Sequence, residues 1–572
     1  MQPSSQPSSN PTVGAVGGVW ALTISSEVDA PMDEASARAA CAPSQWGYAS
    51  SVSCNFRAAL IYCLALVPWD TPGVTGCDVN MKENANISLS AGPLVISSSS
   101  TNPVKVNING NGGNIHASVF GGRFMMMSTE SSSNSSNSST SHHQSRRRLA
   151  STSHLVVVLS NLTISGFGSN STDGGAVEFR DLYSVSISDV SFVSNRGSSG
   201  GAVFVKNASF VSLKNVIFSR NEATNGGALF LQNIQRVSMS NTQFTNNRAS
   251  NIAGAVVLHS ASSASIENSV FKGNSAVRFG GSLSLYDVKG LQVTNNAFVG
   301  NNAQYGSAIA FRSSSNATYE RNKFTANEAY LGGGTVYWIQ GTASTSGGLS
   351  AAAGAWPLFS ENVFSGNRVA SVLNKLDIAS DATRLVSSPS SLVLQDYTSI
   401  GALKNVISVM DNYNQVLFAE RNATVTNAIA SLGDDTSCSY NTQSVKLAGQ
   451  LTTAVVSGKA SFSSSGGWSG TCIPGGHVNV TMSTQLLSSP VIFPDYMYDA
   501  SVVERQGGKY TRLVTGRVLV AFRKCDVGEF YDFFATKSLC IKCSNSYSFV
   551  PNNDNRCVGS FIFFLCLPFS SS

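Results

Sequence analysis

Seven four-residue groups in the middle of the chain share one pattern: AVEF, AVFV, ALFL, AVVL, SLSL, AIAF and TVYW. Their second and fourth positions are always large and apolar. They are Val177 and Phe179, Val203 and Val205, Leu229 and Leu231, Val256 and Leu258, Leu283 and Leu285, Ile309 and Phe311, and Val336 and Trp338. This alternation predicts strands with one face in a core. A Gly-rich turn precedes each group: GGA at Gly174, Gly200 and Gly226, AGA at Ala253, GGS at Gly280, GSA at Gly306 and GGGT at Gly332.

A second pattern runs in phase with the first. F-x-x-N occurs at Phe167 and Asn170, Phe192 and Asn195, Phe218 and Asn221, Phe244 and Asn247, Phe271 and Asn274, Phe298 and Asn301, Phe324 and Asn327, and Phe364 and Asn367. Successive Phe residues are 25, 26, 26, 27, 27, 26 and 40 residues apart. The distance from the second residue of each Gly pair to the next Phe is 17 in six successive repeats, so insertions fall in one turn only. Five residues before the Phe stand Ile187, Leu213, Met239, Ile266, Val293 and Tyr319, which are further inward positions. Three before it stand Asp189, Asn215, Asn241, Asn268 and Asn295, residues that tolerate a left-handed backbone and suit a corner.

A fixed period in this range means a solenoid. Three short strands and three turns per repeat make one coil of a right-handed parallel β-helix. Coils about 4.8 Å apart would stack Phe on Phe inside, and Asn on Asn along a turn. The fold class expected is all-β, a pectin-lyase-like solenoid followed by a β-sandwich and a small Cys-rich module. The domain reading is a Pro/Ser-rich linker over 1–20, a Cys-containing N-terminal cap over 21–85, and the β-helix over 86–370 with a disordered insert at 128–150. A linker over 371–405, an Ig-like sandwich over 406–523, a Cys-rich module over 524–558 and an apolar tail over 559–572 complete it. Within the cap, CNFRAALIYCLAL from Cys54 to Leu66 reads as an amphipathic helix covering the open end of the solenoid.

Composition agrees with an all-β chain: 12% of residues are charged and 50 are glycine. The net charge of +5 is small for 572 residues and predicts no nucleic-acid partner, which normally shows as a clustered basic face. The one basic run, Arg146 to Arg148, lies in a Ser-rich insert and reads as a solvated loop.

Eleven cysteines fall in three clusters outside the repeat. Cys41, Cys54, Cys63, Cys77, Cys438, Cys472, Cys525, Cys540, Cys543 and Cys557 are disulfide candidates, and Cys566 makes the number odd. N-x-S/T sequons at Asn86, Asn161, Asn170, Asn207, Asn316, Asn422 and Asn479 are glycosylation candidates, with two more, Asn134 and Asn137, in the insert. Both features point to an extracellular or cell-surface protein. The N-terminus lacks the basic and apolar regions of a leader, and Phe561 to Phe569 is too short to span a bilayer. The sequence therefore reads as a fragment, with membrane association through a segment outside it.

F-x-x-N alternating with GGA-[ILV] over about Asn161 to Ala370 resembles the repeats of the chlamydial polymorphic outer membrane proteins. That resemblance implies a surface-exposed β-helix used in adhesion, secreted or associated with the cell envelope. No C-terminal run of strands long enough for a membrane barrel accompanies it. Instead, Cys525, Gly528, Cys540, Cys543, Tyr547 and Cys557 resemble the Cys-rich modules of ephrin and growth-factor receptors. Zinc at that CxxC is the alternative to disulfides.

β-helices also include polysaccharide lyases and hydrolases, whose sites need clustered carboxylates. Here the acids are scattered, and Glu178, Asp181 and Asp189 are the set that neighbouring coils could bring together. His154 and His259 are lone and read as surface residues, and the Asp pair of Gly433 to Asp435 reads as linker. The expected function is non-enzymatic: an adhesion or interaction protein whose β-helix face meets a protein or glycan, without a cofactor or metal. A carbohydrate-active enzyme and a structural wall or matrix protein are the alternatives. Tyr286, Tyr305, Tyr337 and Trp338 are candidates for exposed contacts, with packing as the competing role.

Overall fold

The computed structural model describes residues 76–89, 104–117, 122–129, 155–312, 317–338 and 358–370, together with short strands at 19–24 and 94–98 and others beyond 377. The chain divides into two compact units, the first reaching Ala379 apart from a short segment.

The first unit is a parallel β-helix. One coil consists of a long strand Val203–Lys214, a Phe-bearing strand Ile217–Ser219 and a short strand Glu222–Asn225. Each pairs in parallel with its counterpart one coil on: Val203 with Leu229, Phe218 with Phe244, and Glu222 with Arg248. Long and Phe-bearing strands share one sheet, and short strands form a second, seven-stranded sheet. Connections between neighbouring parallel strands are right-handed by the usual preference of twisted strands.

The corners are made where the backbone turns left-handed. Asp189, Asn215, Asn241, Asn268 and Asn295 all have φ between 51° and 57°. Another such point, at Asp181, Asn207, Asn233, Ser260 and Asp287, bends the long strand itself. Asn and Asp accept this conformation because their short polar side chains bond locally. The Asn207 amide donates to Asp181 at 2.8 Å, and the Asn233 amide to Asn207 at 3.1 Å.

Inside, Phe192, Phe218, Phe244, Phe271, Phe298, Phe324 and Phe364 stack with ring centroids 4.8–5.1 Å apart and planes within 9° of parallel. The alternating apolar positions of the long strand are buried, with Trp338 packed at the edge of the same core. The outer row between them is buried as well: Glu178, Phe204, Phe230, Val257, Ser284, Ala310 and Tyr337 are at most 5% exposed. The Gly turns fold against this row. A Cβ on Gly174 would meet Phe204, and one on Gly306 would meet Tyr337.

Several expectations shift. Val19–Ile24 and Gly76–Met81 pair in parallel and join the solenoid sheet, so the stretch read as cap supplies coil strands. The stretch read as a linker contains three strands: Ile378–Ser380 joins the solenoid sheet, whereas Arg384–Ser388 and Ser391–Leu394 pair within the second unit. That second unit carries a nine-stranded, mainly antiparallel sheet. Gly433 to Asp435 lies in the strand Asn427–Thr436 of that sheet, where the register bulges. The helix expected at Cys54 to Leu66 lies outside the described residues, as does most of the 128–150 insert.

Candidate functional site

Two buried polar columns run along the solenoid axis among the described residues. In the first, the Asn residues of F-x-x-N form a continuous buried ladder. The Asn247 side-chain oxygen accepts from both the backbone and the side-chain amide of Asn221 at 3.0 Å. Its own Nδ2 donates to the Phe218 carbonyl and to Asn274, each at 3.0 Å. The pattern repeats from Asn195 to Asn367. Every donor and acceptor of the amide is committed, so the column holds backbone and has nothing left for a ligand.

The first F-x-x-N does not join it. Phe192 sits on Ile164, not on Phe167. The Phe167 backbone N–H donates to the Asn195 side chain at 3.0 Å, so Phe167 takes the ladder position of an Asn. Its ring meets Phe124 at 5.6 Å instead. Asn170 is exposed, because Ser169 and Thr172 close a local turn there. The in-register motif of this coil is Ile164-x-x-Phe167.

Sequence reading missed the second column, two residues before the Phe from Phe244 onward: Thr242, Ser269, Asn296, Asn322 and Asn362 bond in series. The signal was present, since Asn296, Asn322 and Asn362 recur at the period of the Phe residues.

The acids weighed as a catalytic set are engaged separately, Glu178 in ion pairs and Asp181 and Asp189 in hydrogen bonds at the bends. Glu178 is 2% exposed and ion-paired with both Arg123 and Arg180. Arg180 also reaches Asp173 at 3.5 Å and lies 5.0 Å over the Phe204 ring. Burial pushes the Arg123 guanidinium below its ordinary value, against the pull of Glu178 and Asp173. Asp181 accepts from Asn207, and Asp189 accepts from Asn215 at 3.0 Å. His259 is 7% exposed, not a surface residue, because it shares the covered outer row with Gln232 and Tyr286. Tyr286 and Tyr337 are buried, while Tyr305 is half-buried against Phe279 at 5.2 Å. His154 lies outside the described residues.

Among the disulfide candidates, Cys77 is fully buried and disulfide-bonded. Cys540 and Cys557 stand on strands pairing with Glu529–Tyr531 and Tyr547–Phe549. The others lie outside the described residues. Among the sequons, Asn86, Asn161 and Asn170 are exposed. The nitrogen of Asn207 that would carry a glycan donates to Asp181. Asn479 is half-buried in the strand His477–Ser488, and Asn316 and Asn422 fall outside. Among the described residues, no three His, Cys, Asp or Glu side chains come together to hold a metal, and no helix is long and apolar enough to cross a membrane.

One surface feature is not absorbed by the ladders. Glu83, Asn111 with Gly112, Asn161 to Thr163, and Asp189 with Ser191 come from four successive coils and line an open groove of about 640 Å³. Left-handed residues set its floor: Asn111, Asn161 and Asp189 have φ of 45°, 52° and 57°. Glu83, Asn111, Asn161 and Asp189 are exposed, and Thr163 and Ser191 are half-buried and face each other in register. Asn111 is fixed by its Nδ2 bond to the Met81 carbonyl at 2.6 Å. The groove thus offers amides, hydroxyls and carboxylates on a rigid frame. No motif marked it in the sequence, because each coil contributes different residues from a turn.

No curated protein matches this sequence. Solved structures similar to it include the enzymatically active domain of tailspike protein 2 of bacteriophage CBA120, at 10% identity and a TM-score of 0.25, covering 82% of this chain and 77% of that one. A tailspike protein variant of Escherichia coli bacteriophage HK620 in complex with pentasaccharide is similar at 13% identity and a TM-score of 0.23, covering 81% and 89%. The family model described as "Right handed beta helix region" matches residues 148–444, just over half of the chain and including the whole F-x-x-N repeat from Phe167 to Asn367. With the parallel coils in place, the chain belongs to the right-handed β-helix family.

Proposed function

We propose that the β-helix is a non-enzymatic adhesion or interaction module, secreted or held at a cell surface, that binds glycan through the groove over its first coils. The groove carries this reading. It is open, it runs along the axis, and it lines up Asn111, Asn161, Thr163 and Ser191 with two carboxylates. Such groups match the hydroxyls of a sugar chain, which both donate and accept. A protein partner would look for a large apolar or aromatic centre, which this groove lacks.

A carbohydrate-active enzyme is the second reading, and one observation favours it: Glu83 and Asp189 line the same groove. In place of Glu178 and Asp181, Glu83 joins Asp189 as the acid pair to test. Glycan-array binding of the full chain, paired with a reducing-end assay on every glycan retained, separates the two. Binding without release supports adhesion. Release that Glu83→Gln or Asp189→Asn abolishes supports the enzyme, and no glycan retained removes both.

A further inference from the structure

The outer face of the long strands carries a side-chain group that neither ladder nor groove explains. After the bend at Asp181 this face is rich in serine: Ser186, Ser212 and Ser238 stack in register, and Ser184 lines up with Phe210 and Arg236. On it, Tyr183 is 45% exposed and meets Phe210 edge-on at a centroid distance of 5.4 Å. Arg236, one coil further, lies 5.5 Å over the Phe210 ring. A single exposed tyrosine is ordinary. Two rings and a guanidinium on three successive coils of a serine face make a built platform.

We propose that Tyr183, Phe210 and Arg236 form a stacking subsite for an acidic sugar residue of the glycan, an inference that rests on the glycan reading of the groove. One face of a pyranose ring is apolar C–H, with slight positive charge that suits the negative face of an aromatic ring. The Phe210 ring holds the Arg236 guanidinium by cation–π attraction, leaving its fork free for a sugar carboxylate. On the Phe210 strand, Lys206 before the bend and Lys214 four residues past the ring add positive charge. Asp181, on the neighbouring bend, is held by Asn207. The groove, six residues further along the strand from Tyr183 and so about 20 Å away, carries Glu83 and Asp189 and would repel a uniformly acidic polymer. A chain in which acidic and neutral sugars alternate fits both places.

Calorimetry on the full chain with a hyaluronan hexasaccharide, whose acidic and N-acetylated sugars alternate, and with a neutral N-acetylglucosamine hexasaccharide tests this. Hyaluronan should bind about tenfold tighter. Tyr183→Ala should weaken it about tenfold, and Arg236→Gln should remove the preference for the acidic chain without changing the melting temperature. If hyaluronan binds and neither variant changes its affinity, the platform falls while the groove reading stands. If neither oligosaccharide binds, the platform also falls, and the groove is judged by the array alone.

Discussion

Gly226 and Gly227 are adjacent, yet each is glycine for a different reason. Gly226 has φ of 63°, where an L side chain is strained, and a Cβ there would crowd the Leu229 carbonyl oxygen of its own coil. A Cβ on Gly227 would overlap the carbonyl oxygen of Gly254 in the next coil. Strain at the first costs about 1–2 kcal/mol. Overlap at the second must push two coils apart, and close-packed backbone has little room to give. Gly227→Ala should therefore lower stability by about 3 kcal/mol or more and Gly226→Ala by about 1, read from thermal unfolding. Equal losses would contradict this account of the pair. The neighbours agree with it, because Ala253 occupies the first position at φ of 55°. Glu178 invites a similar test. Glu178→Ala leaves the half-buried Arg123 without its carboxylate and should cost about 2–3 kcal/mol. A fully stable Glu178→Ala protein would return that acid to the list of surface chemistry.

At the scale of the element, the Asn column is the most exposed to a single change. Asn247→Ala would leave the Asn221 backbone N–H and the Phe218 carbonyl buried without partners, at roughly 3 kcal/mol. Hydrogen exchange should speed first in the coils on either side, because each coil touches only its neighbours. Uniform acceleration along the solenoid would argue against that locality. This column, the Phe stack and the inward side of the long strand were legible in the sequence, because stacking in register repeats the same residue at the same place. What was hidden broke the repeat. Phe167 resembles the stacked Phe residues but holds the place of an Asn, since only the hydrogen bond to Asn195 reveals its register. The outer row at Phe204, Phe230 and Val257 reads as outward by alternation, yet the Gly turns fold against it.

At the scale of the molecule, the ladders and stacks of the first unit repeat from coil to coil, and the surface differs where coils differ. The groove was not legible because Glu83, Asn111, Asn161 and Asp189 share a corner of the coil but no motif. Asn161 belongs to a sequon and lines that groove, so a glycan attached there would occupy it. Protein carrying that modification should bind added glycan more weakly than the unmodified chain in a side-by-side array, and equal binding would place the ligand elsewhere. The measurement that tests the central claim most directly is the affinity of the array-identified glycan for the wild-type chain and for Thr163→Val and Asp189→Asn, with reducing ends assayed in the same samples. The account predicts that each variant weakens binding about tenfold at unchanged stability, with no reducing ends released by any protein. Unchanged affinity in both variants, or release of reducing ends by the wild type, would contradict it.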